Sequence, residues 1–422
     1  MTGRDDPDLL ANLRAPNAEH DGVFWHGDRR LMVFDADAAS RANAENFADL
    51  TLPDRFVDRI RGRRSPAVSW RQVRSLWLSQ IRVLSEESRL RALTDRMAAI
   101  LDNRRDQHVD FGWLAHEMMF RALVPVVLDG LSTSDQAWLD RDAIAKLTRL
   151  DAGPGGQTRQ QRWQAIVAQL HTGRVVRKEI RRRARGGRTH VDLTQPIVDR
   201  LLPSLGPDRA MEAVTTVLTA IAGPPGATAG CLMYELAKRP EWVATLTEEF
   251  AAGPVDQLYR TGTRSAPTAH QFVKEVLRMW SAPLLMTRSA RVPLTVRAHR
   301  LAVGQHFLVS PYLVNHDERH WSDPDTFDPH RWSAGAAHRP PGGHYYVPFG
   351  WAPTACIGAG LGSIQLVLLA YLLCTRFRLE LRAPDAARVS LGAVPRPLDF
   401  DGWVRLRGPR ELSGRPPRRR PA

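Results

Sequence analysis

His344 to Gly362 reads HYYVPFGWAPTACIGAGLG. In it a lone cysteine, Cys356, stands seven residues after an aromatic, Phe349, and two residues before Gly358, and an apolar helix-like run follows. This is a pattern for presenting one thiolate to a metal. A free cysteine is mostly protonated at neutral pH, so a metal-bound sulfur needs the metal's charge, backbone N–H donors and a helix N-terminus close by. Residues 356–374 are expected to supply that helix. Ala352, Ala355 and Gly358 are small enough to let a flat cofactor approach the backbone, and Phe349 is expected to pack beside the sulfur and exclude water. Taken alone, a buried core cysteine is the plainer reading.

Companion motifs change the balance. KEVLR (274–278) puts Glu275 and Arg278 on one helical face, and FDPHRW (327–332) carries Arg331, a second guanidinium able to close a three-membered ion network. An isolated Glu/Arg pair at this spacing is usually a solvated helix face. Here the order is pair, FDPHRW, cysteine loop, and with it the chain resembles the cytochrome P-450 superfamily of haem-thiolate enzymes from about residue 65 to its end. The resemblance implies that Glu275, Arg278 and Arg331 lock the fold around the loop, that Cys356 is the metal ligand, and that Phe349, Gly350 and Gly358 shape the cofactor's bed. It also implies propionate contacts from Trp70 and Arg74 in WRQVR (70–74) and from Arg288. Arginine suits that task because its fork of donors pairs bidentately with carboxylates.

Composition fits a single catalytic domain over residues 1–407 with a basic, proline-rich tail at 408–422 that is expected to be disordered. Three scattered cysteines, Cys231, Cys356 and Cys374, argue against a disulfide scaffold. The N-terminus lacks an apolar core and no run reaches the roughly 18 apolar residues of a membrane span, so a cytoplasmic protein without a membrane segment is expected. The net charge of +14 comes almost entirely from arginines spread among acids along the chain. That distribution argues against a nucleic-acid groove and suits an acidic redox partner such as a ferredoxin. Two local clusters, Arg177 to Arg188 and Arg415 to Arg420, read as polyanion-binding or simply solvated, the tail being taken as solvated.

Apolar spacing predicts helices over 70–102, 134–149, 160–184, 207–222, 228–238, 241–251, 268–280 and 358–374. LTVRAHRLAV (294–303) and HFLVSPYLV (306–314) have the alternation of a small sheet, and 389–393 with 403–407 are expected to form a C-terminal hairpin. The fold class expected is mainly α with small sheets, a cytochrome P-450 fold with haem between a long distal helix and the helix after the cysteine loop.

AIAGPPGATAG (220–230) departs from the family. The distal helix there usually carries Ala-Gly, one residue, then an acid and a threonine. Ala222 and Gly223 fit, but Pro225 and Gly226 fall on the acid and alcohol positions, and the segment up to Pro240 is about two residues short of the common spacing. Two prolines cannot donate, so the carbonyls of Ala220 and Ile221 lose their helical partners. These either hold water that carries protons, with Thr228 the nearest hydroxyl downstream, or mark a plain helix end. In the cysteine loop Ala352 and Thr354 replace the usual glycine and basic residue, which removes one propionate contact unless a group such as His344 compensates.

The resemblance implies haem b as cofactor, dioxygen as co-substrate, and electrons from NAD(P)H through a ferredoxin and its reductase. The reaction expected is hydroxylation or another oxidative tailoring of a small to medium organic molecule in specialised metabolism. Thr219, Ala222, Leu284, Leu285 and Val394 are the candidate substrate-pocket residues. A peroxide-driven or coupling enzyme, and a non-catalytic protein of the same fold, remain alternatives.

Overall fold

Helices dominate because apolar residues recur at helical spacing. The computed structural model describes residues 14, 17, 19–27, 30–47, 69–152, 156–186, 189–336 and 343–408, so most of the expected tail lies outside the described residues. In Trp70–Leu84 the buried positions Val73, Trp77, Ile81 and Leu84 form one face, and the Ser69 side chain caps the start by accepting from the Gln72 N–H. The single helix expected over 70–102 is two. Ser85 turns back to donate its hydroxyl to Ile81 O at 2.7 Å, and extended Glu86 opens the next helix, Glu87–Asn103. Periodicity continues across such a break, which is why the sequence pattern hid it.

Phe111–Val127, in a stretch without motifs, is buried on almost every face and packs along Pro224–Lys238. Asp110 caps it, accepting from Trp113 N at 2.9 Å. The distal helix comes in two pieces. Leu202–Ala222 bends at Gly206 (φ 71°), so Pro207 opens its regular part, as expected. Its successor begins at Pro224, not at 228. Pro224 and Pro225 occupy the first turn, where an N–H would have no helical acceptor and its absence costs nothing.

Four strands form the largest sheet, in the order Val23–His26, Arg30–Val33, His306–Val309, Met286–Ser289, the central pair parallel and its neighbours antiparallel. The small sheet expected over 294–303 and 306–314 forms only in part: Leu294–Val296 pairs with His299–Leu301, while His306–Val309 joins the larger sheet and Pro311–Asn315 is helical. The expected C-terminal hairpin does not form. Arg388–Leu391 pairs with Pro395–Leu398, while Asp401–Leu406 pairs with Phe377–Leu381 and His108–Asp110. A four-residue strand followed by Gly392-Ala393 turns back on its immediate neighbour before it can reach a later one.

The main core holds Trp77, Met97, Phe111, Phe272 and Phe377, and a second cluster around Leu31, Phe307 and Trp351 sits under the sheet. The basic run 177–188 is not uniformly solvated. Arg183 is buried between Glu179 and Asp192, and Arg177 pairs with Asp208. Among the described residues no helix is long and apolar enough to cross a membrane.

Candidate active site

The cysteine loop is built from its backbone. Gly350 takes a positive φ of 75°, which a side chain rarely adopts, and the Cys356 N–H returns to Phe349 O at 2.9 Å. Cys356 lines a cavity of about 420 Å³ and is exposed to that space. Burial pushes the Cys356 thiol up, and the Gly358 N–H and the charge of Arg74 pull it partly back. A thiolate at this place therefore needs a further positive charge.

Loop and core are joined by the carboxylate of Glu275. It accepts from Arg278 at 2.8 and 3.0 Å, Arg331 at 3.1 Å, Trp332 Nε1 at 3.0 Å and the Asp328 N–H at 3.0 Å. Glu275 and Arg278 are fully buried and Arg331 almost so. Arg278 also donates to Asn315 O at 2.9 Å, and Asn315 Oδ1 accepts from the Val347 N–H at 3.1 Å. One asparagine thus couples the ion network to the start of the loop. On the other side Asn43 donates to Trp351 O and Ala352 O at 3.1 and 3.0 Å and accepts from Thr354 Oγ1 at 2.9 Å. Thr354, where a basic residue was expected, is a clamp. His344 does not compensate for it, since its ring pairs outward with Asp37 at 2.7 Å.

Polar groups without anionic partners gather around the cavity. Trp70 Nε1 is buried with no acceptor, Arg74 gives one donor to Ala355 O at 2.6 Å, and Arg288 reaches only Thr287 O and Met286 Sδ. Neither arginine has a carboxylate among the described residues. Burial alone lowers the Arg288 guanidinium. Trp70, Arg74, Phe349, Gly350, Cys356 and Gly358 all line the cavity, with Met286 between them and Arg288.

Across the cavity from the loop lie Ala220, Ile221, Pro224, Pro225 and Thr228. The Thr228 hydroxyl donates to Pro224 O at 3.0 Å. Gly226 turns away, against His116, and Gly223 is the bend between the two helices. The hydroxyl on the cavity face is therefore two residues beyond the position read from sequence. Ala227 precedes it, so no acid stands beside it.

None of the five expected pocket residues lines the cavity. Thr219 faces outward to Lys146, Ala222 faces His116, and Leu284 and Leu285 pack with Phe24, Phe34 and Tyr312. Val394 is buried away from it. Helix phase explains the first two: Val217, Ala220 and Ile221 hold the inward face instead. Asn43, Asn315 and His116 were not anticipated. A lone Asn or His carries no spacing signal, so only the fold reveals them.

The chain matches the family profile described as Cytochrome P450 over residues 158–392, more than half of its length. It belongs to the cytochrome P450 family. This P450 is 30% identical to mouse thromboxane-A synthase over 158 residues, 36% of the chain and 29% of that protein. It is 31% identical over 160 residues to 11-oxo-beta-amyrin 30-oxidase of Glycyrrhiza uralensis, covering 37% and 30%. The chain thus spans less than a third of the length of either relative. Its fold is that of the cytochrome P450DA heme domain, at TM-score 0.72 and 17% identity, and of the retinoic acid bound cyanobacterial CYP120A1, at 0.76 and 16%. Both likenesses cover 95% of this chain and 94% of the other.

Haem, the group this family holds, suits the residues present. A cavity-facing thiol is short of positive charge, and two arginines and an indole N–H near its rim lack anionic partners.

Proposed function

We propose that this P450 is a haem-thiolate monooxygenase with Cys356 as the iron ligand. The observation that carries the reading is the Cys356 sulfur facing the cavity opposite the Thr228 hydroxyl. Haem b bound there would supply activation of dioxygen and insertion of one oxygen atom into a substrate. Trp70, Arg74 and Arg288 would hold its propionates, and Phe349, Gly350 and Gly358 would bed its proximal face and exclude water from the sulfur. Thr228 would hold and pass protons at its Oγ1, taking the alcohol's part from the cavity face, while Pro225 and the bend at Gly223 keep Ala220 O and Ile221 O without helical donors. The lining residues Ile81, Met119, Leu123, Val126 and Val217 favour a predominantly apolar, small to medium organic substrate, consistent with oxidative tailoring of specialised metabolites. We assign electrons to NAD(P)H through a ferredoxin and its reductase, drawn to a chain of net charge +14, and place the reaction in the cytoplasm.

The test is the absorption spectrum of the reduced protein under carbon monoxide. A red-shifted Soret band should appear, vanish in Cys356→Ser, and persist in Cys231→Ser and Cys374→Ser, whose thiols are fully buried in the core. An unchanged band in Cys356→Ser would defeat the assignment. A second reading, a peroxide-driven enzyme, is favoured by one observation: among the described residues no carboxylate lines the cavity. Product formed with peroxide alone, and not with the electron-transfer chain, would select it.

A further inference from the structure

The first half of the helix Arg159–Ala184 stands clear of the core. Thr172, Val175, Val176 and Ile180 hold the second half down, whereas from Arg159 to Val167 no side chain is buried. A capping box of Thr158 and Gln161 keeps this free end helical. Four large apolar side chains face solvent there: Trp163 is 68% exposed, Leu170 57%, Ile166 49% and Val167 38%. At about 100° per residue, all four fall within about 60° of the Trp163 direction. The same line runs on through Arg174 and Arg181 to Arg185, three exposed cations without an acidic partner among the described residues. Glu179, the one acid of the helix, is turned inward onto Arg183 at 2.8 Å. Single exposed apolar residues are ordinary, but a row of four headed by a tryptophan marks a contact surface.

We propose that this face docks an acidic partner protein through an amphipathic helix that is apolar at one end and carries carboxylates at the other. Charge decides against the other occupants. A second copy laid antiparallel over the apolar row sets its Arg159 and Arg162 against Arg174, and a parallel copy sets Arg181 on Arg181, so like charges meet either way. A flat bilayer deep enough to cover Trp163 and Leu170 carries Arg174, one turn further along the same line, towards hydrocarbon. A partner with carboxylates beyond its apolar end meets neither penalty and pairs the guanidinium forks bidentately. The helix packs on Leu202–Ala222, whose Thr216, Val217, Ala220 and Ile221 line the cavity across from Cys356. The docking face therefore lies behind the wall opposite the cysteine loop, and it depends on no haem chemistry.

The test titrates the full-length protein into two labelled synthetic helices of about 20 residues, which cover about 30 Å of the face, and follows fluorescence anisotropy. One helix carries leucines on the first half of a line and glutamates on the second. The other has the same residues alternating along that line. The segregated helix should bind about tenfold tighter than the mixed one, and Trp163→Ser/Leu170→Ser and Arg174→Glu/Arg181→Glu should each weaken it by about as much while melting like wild type. Equal affinity for the two helices, no binding, or binding unchanged in both variants overturns the proposal. Tighter binding to phosphatidylcholine vesicles containing phosphatidylglycerol than to the segregated helix also overturns it, assigning the face to a lipid surface. A concentration-dependent dimer that is lost in Trp163→Ser/Leu170→Ser overturns it in favour of a second copy of the chain.

Discussion

Two buried arginines hold this chain together in the same way, and only one is recognisable in the sequence. Arg278 is enclosed by Glu275 and carbonyl oxygens, and Arg183 by Glu179, Asp192 and Asp129 O at 2.7 to 2.9 Å. Each pins a loop to a helix. The first network pins the strand of chain that leads into Cys356. In the second, Asp192 accepts from the backbone N–H groups of Thr194 and Gln195 and so fixes Leu193, which lines the inner cavity and accepts from Trp77 Nε1. The cavity is thus gripped at two walls by equivalent devices with different duties, one for the sulfur and one for the space above it.

Removing a carboxylate tests that division. Loss of Glu275 leaves two buried guanidinium groups uncompensated, so Glu275→Ala is expected to cost about 3–5 kcal/mol and to yield aggregated or haem-free protein, read by thermal melting and the Soret absorbance. Soluble, haem-loaded Glu275→Ala with normal melting would reduce the network to decoration. Asp192→Ala is expected to cost a similar 3–5 kcal/mol. Its carbon monoxide band should nevertheless stay in place while ligand-induced spectral shifts weaken. Loss of the band there would show the two networks to be one unit.

A smaller effect follows from pH. The folded-state value of His116, about 4, lies below the 6.5 of an ordinary histidine, so its contribution is complete above 6.5 and is lost as pH falls towards 4. Over that window the loss reaches about 3 kcal/mol. The difference between wild-type and His116→Phe melting curves isolates it, because other groups, among them His316, also pushed down to about 3 by burial, cancel. Parallel curves from pH 7 to 4 would refute the buried neutral ring. Smallest of all, Thr354→Val removes one hydrogen bond to Asn43 and is expected to cost about 1 kcal/mol while haem stays bound. Haem loss in this variant would make the clamp essential to the site.

Sequence legibility follows the same division. Glu275 and Arg278 are three residues apart and Arg331 lies in a compact motif, so local spacing announces them. Arg183 sits among Arg181, Arg182 and Arg185 and finds Asp192 only through tertiary packing; in a run of identical charges no pattern marks the buried one. The distal turn shows a subtler failure. Pro224-Pro225 marks a break in the sequence, but a proline pair starts a helix as readily as it ends one, and that choice decides which hydroxyl faces inward. Cavity residues were missed for want of helix phase: a shift of one position turns Ala222 from wall to core.

The largest sheet also sets an order of assembly. Residues 30–33 pair in parallel with 306–309, and the same N-terminal region supplies Asn43 to the cysteine loop at Trp351 and Ala352. Contacts so distant along the chain form late, since the loop they close must first be ordered. On the ribosome the ribbon of Val23–His26 and Arg30–Val33 can form early, while the other edge of Arg30–Val33 waits until His306–Val309 has emerged. The clamp of Asn43 on the cysteine loop closes only after Trp351 and Ala352 have emerged, which places it among the later contacts to form.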